Sequence, residues 1–500
     1  MNYLFKGVVL SCVVLAGCTR APHDPISFEE IEAKSQARLE QYTANQEEIT
    51  GPIGLYDAMA RAVKYNLDYK VELFEEALRA SESDLSRLDM LPRLVASAGF
   101  TDRDNFSGSR SSALLGENTV GGQSLVPSTS SERDVLTSDL TLSWDILDFG
   151  LSYVRAKQRA DGVLLANERK RKVANRIIED VRTAYWRAVS AERLIDELAS
   201  LESDIQKALT DADESYRQRK TAPMAALTYQ RELLQIQNEI HTLHNDLFVA
   251  KRQLAALMNV SPATNFTLEI PARTYQAQNL NLDPAKMVKT ALRNRPELRE
   301  LNYEQRINEQ EATSALLSLL PSLNLFGGFN HNSNDFLFNN NWANWGAQAS
   351  WNIFEAFKYP ATRRTNIAQS DLLHQRSLAL TMAVVTQVHV SASRYEIARK
   401  RLSTMDQFET VTSNILDQVD SGYKARKVSY QNYVRELMNS IVARARYDIA
   451  RADLHNSYAN VYASIGADSF GNIDANNATV EQLSEHLESH WAKLEAAMQQ

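Results

Sequence analysis

The segment Trp144-Asp145-Ile146-Leu147-Asp148 returns 207 residues later as Trp351-Asn352-Ile353-Phe354-Glu355. At the same offset Tyr216-Arg217-Gln218-Arg219-Lys220 returns as Tyr423-Lys424-Ala425-Arg426-Lys427. Upstream the offset is 229: Ala62-Val63-Lys64-Tyr65-Asn66-Leu67-Asp68 is echoed by Ala291-Leu292-Arg293-Asn294-Arg295-Pro296-Glu297, and Leu91-Pro92-Arg93-Leu94 by Leu320-Pro321-Ser322-Leu323. Two pairs at each offset make chance a poor explanation, and self-similarity on this scale decides the architecture before any element is assigned. The change of offset places 22 extra residues in the first half, between Pro92 and Trp144.

Each half then runs through one order of elements. A helical pattern meets Leu-Pro, where proline stops it. A strand, a polar loop and a second strand ending at Trp follow, and then a very long helix. Leu94 to Thr101 and Val135 to Asp145 read as the first pair of strands, with Leu136, Leu140, Leu142 and Trp144 on one face. In the second half Leu323, Leu325 and Phe329 share a face, as do Trp345, Ala347, Ala349, Trp351 and Ile353. Alternation with period two over about ten residues is the weak signature of a transmembrane strand, and a soluble hairpin with one wet face gives the same pattern. The loops weigh towards the membrane. Asp102 to Arg133 is rich in Ser, Gly, Asn and Thr, His331 to Asn341 is rich in Asn, and both lie at the same end of their hairpins.

The long helices carry heptad seams: Ile177, Val181, Ala184, Ala188, Ala191, Ile195 and Leu198 in one, Val385, Val388, Ala392, Tyr395, Ala398, Leu402 and Met405 in the other. Ser152 to Asp213 alone would reach roughly 90 Å as one helix, so it needs long neighbours, and Met224 to Met258 and Val428 to Ile465 supply part of them. Four strands per chain cannot close a barrel, and an open sheet edge in lipid is unsatisfied. Closed three-fold symmetry resolves this. The expected fold is mainly α with a small β part: a long α-helical coiled-coil barrel, plus four β-strands per chain completing a 12-stranded transmembrane β-barrel in a trimer.

Composition sets bounds on function. The chain carries 54 Lys and Arg against 62 Asp and Glu, a formal net charge of −8 that is too mild to imply a nucleic acid partner. Only 17 Gly and 12 Pro in 500 residues argue against a loop-rich all-β protein. No apolar run approaches the roughly 18–20 residues of a spanning helix, which excludes a helical integral membrane protein. The two cysteines, Cys12 and Cys18, cannot make a disulfide framework or a zinc cluster. Lys6, the short apolar core Gly7 to Ala16 and the small residues Ala16 and Gly17 read as a secretory signal.

The order and the motifs together resemble the TolC-like outer-membrane efflux channel family across roughly residues 55 to 466. Ala62 and Asn66, with Ala291 and Pro296, look like the family's Ala-x-x-x-Asn-Pro helix start, and the Leu-Pro before each first strand fits. So do the aromatic ends Trp144 to Gly150 and Trp351 to Phe357, the turn at Gly422-Tyr423, and a last helix from Ala445-Arg446-Tyr447 to Gly466. Leu15-Ala16-Gly17-Cys18 resembles the bacterial lipoprotein signal, which implies lipidation at Cys18, and Thr19 after it implies delivery to the outer membrane. The resemblance implies a passive export conduit in a homotrimer, working with a periplasmic adaptor (membrane fusion) protein and an inner-membrane transporter, anchored in outer-membrane lipid. No catalysis and no cofactor are implied. The organisation expected is a signal peptide over 1–17, a lipidated tether over 18–54 with one polar helix, a first repeat over 55–260, a connector over 261–283, a second repeat over 284–466 and a tail over 467–500. The rival of another class is a non-conducting, lipid-anchored periplasmic coiled-coil scaffold.

The periplasmic tip departs from the family pattern. Arg219 and Arg426 stand where the family's turn usually has Gly, and Asn432 and Arg435 where pore-narrowing carboxylates stand. The tip or gate residues expected are therefore Arg217, Arg219, Lys220, Tyr423, Lys424, Arg426, Lys427, Asn432 and Arg435. A ring of Arg and Lys favours anions; equally, these are helix-end charges paired with Asp211, Asp213, Glu214, Asp417 and Asp420. No phosphate loop, nucleophile elbow or His-Glu-x-x-His motif is present. The pairs His241/His244 and His486/His490 lack a third ligand, so no metal site is expected. Trp342, Trp345 and Trp351 read as a barrel face or interfacial belt. Val480, Leu483, Leu487, Trp491 and Leu494 mark an amphipathic helix in the tail.

Overall fold

A computed structural model describes residues 25–124, 126–218, 222–261, 264–272, 280, 283–467, 470–471, 475 and 477–498. The signal segment and Cys18 lie outside the described residues, as do Arg219 and Lys220.

After a polar helix α1 (Phe28–Gln41), the chain runs α2 (Leu55–Tyr65), α3 (Leu67–Leu88), β1 (Arg93–Asp102), β2 (Ser112–Gly116), β3 (Thr119–Gln123), β4 (Asp134–Asp145), α4 (Ile146–Arg217) and α5 (Pro223–Leu257). Then follow α6 (Pro284–Asn294), α7 (Pro296–Leu317), β5 (Ser322–Asn332), β6 (Asn341–Ser350), α8 (Glu355–Lys424) and α9 (Tyr430–Ser464), with α10 (Val480–Met498) last. The duplication extends to backbone detail. Between α2 and α3 the break falls at Asn66 (φ −60°, ψ 129°), whose side chain accepts from the amides of Asp68 and Tyr69. Between α6 and α7 it falls at Arg295 (φ −62°, ψ 124°), 229 residues on, with Pro296 opening the new helix.

α4 and α8 have 72 and 70 residues, about 105–108 Å each. α4 starts earlier than its heptads do, because Asp145, the last strand residue, already caps it by accepting from Leu147 N at 2.9 Å and Asp148 N at 3.0 Å. Strand and helix are therefore joined without a loop. Ile177, Val181, Ala184, Ala188 and Ala191 are buried, as are Val388, Tyr395, Ala398 and Leu402, so both seams face neighbours. The returning helices end alike, with a left-handed residue at Asn259 (φ 58°) and, 207 residues on, Gly466 (φ 71°). In each the amide of that residue and the amide after it reach back into the last turn, closing a Schellman motif.

β1, β4, β5 and β6 form one antiparallel sheet in the order β1-β4-β5-β6. The helices that continue them pack in the same sequence, α3 on α4, α4 on α7 and α7 on α8, while α5, α4, α9 and α8 pack side by side beyond. Arg93 pairs with Ser143 in the first hairpin, and adding the two offsets gives Ser322 with Ser350, the pair found in the second. Three details differ from expectation. β6 ends at Ser350, so Trp351 and Ile353 leave the strand face. Trp342 and Trp345, an odd number of residues apart, point to opposite sides of the sheet, so the three tryptophans are not one stripe. The loop after β1 folds into a second small hairpin, β2–β3, with shifted register.

The waist holds most of the core. One apolar cluster gathers α2, α4 and the end of α5; a second gathers α6, α8 and α9. α10 joins both: Val480, Leu483 and Leu487 enter the first and Trp491 the second. There the Arg182 guanidinium lies 3.9 Å from the Trp491 ring centroid, and burial lowers its pKa to about 10.

Candidate functional site: the sheet faces and the far helix turns

Two places carry chemistry beyond packing: the faces of the sheet and the turns joining α4 to α5 and α8 to α9.

On β4 exposure alternates residue by residue. Leu136, Leu140, Leu142 and Trp144 form the more exposed, convex side. Thr137, Asp139, Thr141 and Ser143 form the shielded, concave side. The register carries both faces across the sheet. Leu142 pairs with Leu94 and Gly327, and Gly327 with Trp345; Leu140 pairs with Ala96 and Phe329, and Phe329 with Ala343. One row over, Asp139 pairs with Ser97 and Asn330, and Asn330 with Trp342. The more exposed face is thus mostly apolar and the shielded face mostly polar, Val95, Val135, Phe326 and Trp342 excepted, the arrangement of a barrel wall around water. Its edges, β1 and β6, are unpaired in the single chain, and β1 is exposed along its whole length.

At the other end of α8 the turn is fully described. Arg426 N donates to Tyr423 O at 2.8 Å and Lys427 N to Gly422 O at 2.8 Å, a third Schellman motif. Its left-handed residue is Arg426 (φ 58°), where a side chain costs about 1–2 kcal/mol relative to glycine. The turn thus adopts its left-handed residue without a glycine. Gly422 is needed for another reason: a Cβ there would lie 2.6 Å from Val428 Cγ2, which seals the turn. Ser429 caps α9, accepting from Asn432 N at 3.3 Å, so Asn432 contributes its backbone while its side chain is exposed.

The structure divides the expected cations. Arg217 pairs with Asp213 at 2.9 Å and Lys424 with Asp420 at 2.5 Å, a bond that holds the Lys424 ammonium above its usual pKa. These two obey the paired helix-end reading. Arg435 pairs across helices with Glu232 of α5 at 3.1 Å, over the ring of Tyr229. That contact is coulombic rather than an aligned hydrogen bond, since Glu232 Oε2 and Arg435 Nε lack hydrogen-bond geometry. Burial pushes the Tyr229 hydroxyl up to about 12. Arg426 and Lys427 are exposed and make no ion pair within 4 Å among the described residues. Beside them Tyr423 stacks on Tyr433, ring centroids 5.0 Å apart, and Tyr430 completes the cluster. The sequence pointed to Tyr423 alone. Tyr430 and Tyr433 follow the turn at spacings that place them on one helix face, the available and missed signal.

His241 binds Glu202 at 3.0 Å, and His486 stacks on His490. Among the described residues no group of three His, Cys, Asp or Glu is arranged to hold a metal ion, and no helix is long and apolar enough to cross a membrane.

Residues 287–467 match the family model described as outer membrane efflux protein. Over those residues the chain is similar to that family. No curated protein matches it significantly. Among solved structures, the fold recurs in the Campylobacter jejuni CmeC outer membrane channel, with a TM-score of 0.63, 14% identity, and coverage of 89% of this chain and 93% of that one. The open state of the Neisseria gonorrhoeae MtrE outer membrane channel gives 0.61, 15%, 85% and 95%. The outer-membrane channel OprN gives 0.62, 15%, 83% and 90%. At these identities the likeness is one of fold, and it spans both halves of the chain.

Proposed function

We propose that three copies close into a 12-stranded barrel in the outer membrane, continued by a helical tunnel that exports cargo handed on by a periplasmic adaptor and an inner-membrane pump. The observation that carries this is the sheet: mostly apolar on its more exposed face, mostly polar on the other, and open at two edges. In lipid such edges must find partners, and β6 of one copy offers β1 of the next the pairing that β4 offers β5. From Leu136 to Trp144 the convex side extends about 27 Å along the strand, or roughly 21 Å along the axis at a tilt of about 40°, close to the apolar band of a membrane barrel. The flanking helices support the same closure. Val71, Phe74 and Leu78 of α3 and Ile367, Leu372 and Met382 of α8 are exposed in the single chain, on the elements that continue the open edges.

In this reading residues 1–17 are removed, Cys18 is lipidated and holds the chain to the outer membrane, and the repeats over 55–260 and 284–466 build the wall. The turns bearing Arg217, Tyr423, Arg426 and Lys427 form the periplasmic entrance, which the Glu232–Arg435 pair helps to hold. Purified protein in planar bilayers is the test. A trimer with stable conductance is expected, whereas a monomer without conductance would favour the anchored scaffold.

A further inference from the structure

We infer that the turn joining α8 to α9 docks an acidic protein segment, with Arg426 and Lys427 as its charge contacts and the tyrosine cluster as its apolar seat. This rests on the proposal that this turn faces the periplasmic partner.

The charge pattern comes first. From Ser215 to Arg231 the chain has Arg217, Arg219, Lys220 and Arg231 and no carboxylate; from Ser421 to Arg435 it has Lys424, Arg426, Lys427 and Arg435 and again none. Both halves therefore carry the same sign in sequence, on a molecule whose net charge is −8. Three of these cations have carboxylate partners reaching in from the helices: Arg217, Lys424 and Arg435. Arg426 and Lys427 project from the outermost residues of their turn and have none within 4 Å among the described residues.

The backbone adds an independent observation. Arginine occupies a left-handed position where glycine would be unstrained, so the turn tolerates strain while displaying a guanidinium to solvent. The apolar neighbours indicate what kind of anion fits. Tyr423 and Tyr430 are exposed by 38% and 40% and sit within one ring cluster with Tyr433. Tyrosine and arginine side by side are the composition of protein-interface hot spots; a turn that only steered small anions would have no use for three clustered phenols. Charge complementarity then selects Asp and Glu on the partner, and the 3.8 Å repeat of a protein chain lets one segment reach both cations of a turn.

The test uses the full-length protein and two designed helical hairpins that differ only in the loop, Glu-Asp-Glu in one and Lys-Gly-Lys in the other. Binding is measured at about 0.1 M salt, where charges a Debye length apart still interact. The acidic hairpin is expected to bind at least tenfold tighter. The double variant Arg426→Glu/Lys427→Glu is expected to abolish or reverse the preference while the oligomer is unchanged. Tyr430→Ala is expected to weaken both hairpins alike. Equal binding of the two hairpins, a preference unaltered in the double variant, or free polyglutamate binding as tightly as the acidic hairpin would each overturn the inference. Conductance of the same preparation separates this from the channel reading: a conducting trimer with no loop preference sinks the docking alone, and a loop preference without conductance sinks the channel alone.

Discussion

The two sequence offsets specify which residues should meet where one chain joins the next. Within the chain β4 and β5 pair so that Leu140 faces Phe329. Moving Leu140 forward by 207 gives Ala347 on β6, and moving Phe329 back by 229 gives Phe100 on β1. If the seam between chains repeats the seam within the chain, Ala347 of one copy faces Phe100 of the next, both on the convex side. Cα atoms of directly opposed antiparallel residues lie about 4.5–5.5 Å apart, inside the 4.4–6.8 Å range that a disulfide spans. A slip of two residues moves the partner about 6.8 Å along the strand, to roughly 8 Å, beyond bridging. Oxidised Phe100→Cys/Ala347→Cys protein is therefore expected to run as a covalent trimer on non-reducing gels, and either single variant as a monomer. The slipped control Ala98→Cys/Ala347→Cys is expected to remain uncrosslinked. A covalent trimer from the control, with none from the matched pair, would falsify the equivalence of the two seams. Bridges formed only within one chain would sink the trimer itself.

Three further outcomes follow from particular residues. Leu140→Arg puts a charge on the convex face, at a cost of about 2–4 kcal/mol per chain near the bilayer midplane, and should reduce trimer recovered from outer membranes; unaltered recovery would mean that this face does not meet lipid. Arg435→Gln removes a half-exposed pair worth about 0.5–1 kcal/mol per chain. If three pairs release together, open-state occupancy of single channels rises about tenfold to a hundredfold; a Glu232→Arg/Arg435→Glu swap as leaky as the single variant would show that the pair restrains nothing. His455 lies flat on Trp186, ring centroids 3.9 Å apart, and burial lowers its pKa to about 3 from 6.5. A depressed folded pKa gives stability that is complete above 6.5 and lost as pH falls towards 3, because only the unfolded chain takes up the proton. His455→Phe should flatten that part of the acid-stability profile, and an unchanged profile in chemical unfolding would refute the assignment.

Period and punctuation made most of the fold readable from residues. Leu-Pro stops, alternating strands and four-three apolar steps are local signals, and the paired offsets supplied their order. What was not readable depended on neighbours. Nothing near Arg435 names Glu232, because the two meet only when α5 and α9 both pack against α4. The left-handed turn at Arg426 was hidden by the absence of glycine, the usual marker of that conformation. The β2–β3 hairpin escaped notice because its strands are five residues each, with shifted register and glycines among them. The destination of α10 was equally closed to inspection. Its apolar stripe is plain, but Arg182, the residue that receives Trp491, lies some 300 positions away.

The step between two halves also has a numerical consequence for assembly. Because the sequences of the turns after α4 and α8 repeat at one offset and carry the same number of cations, a trimer of the kind proposed would offer six quasi-equivalent docking positions at its periplasmic end. The β2–β3 hairpin exists only in the first half, so the outer end presents three. A partner that recognises a single turn would bind with a stoichiometry of six to three, and one that spans neighbouring turns with three to three. Counting subunits in the isolated complex therefore reports which unit, repeat or chain, the partner reads.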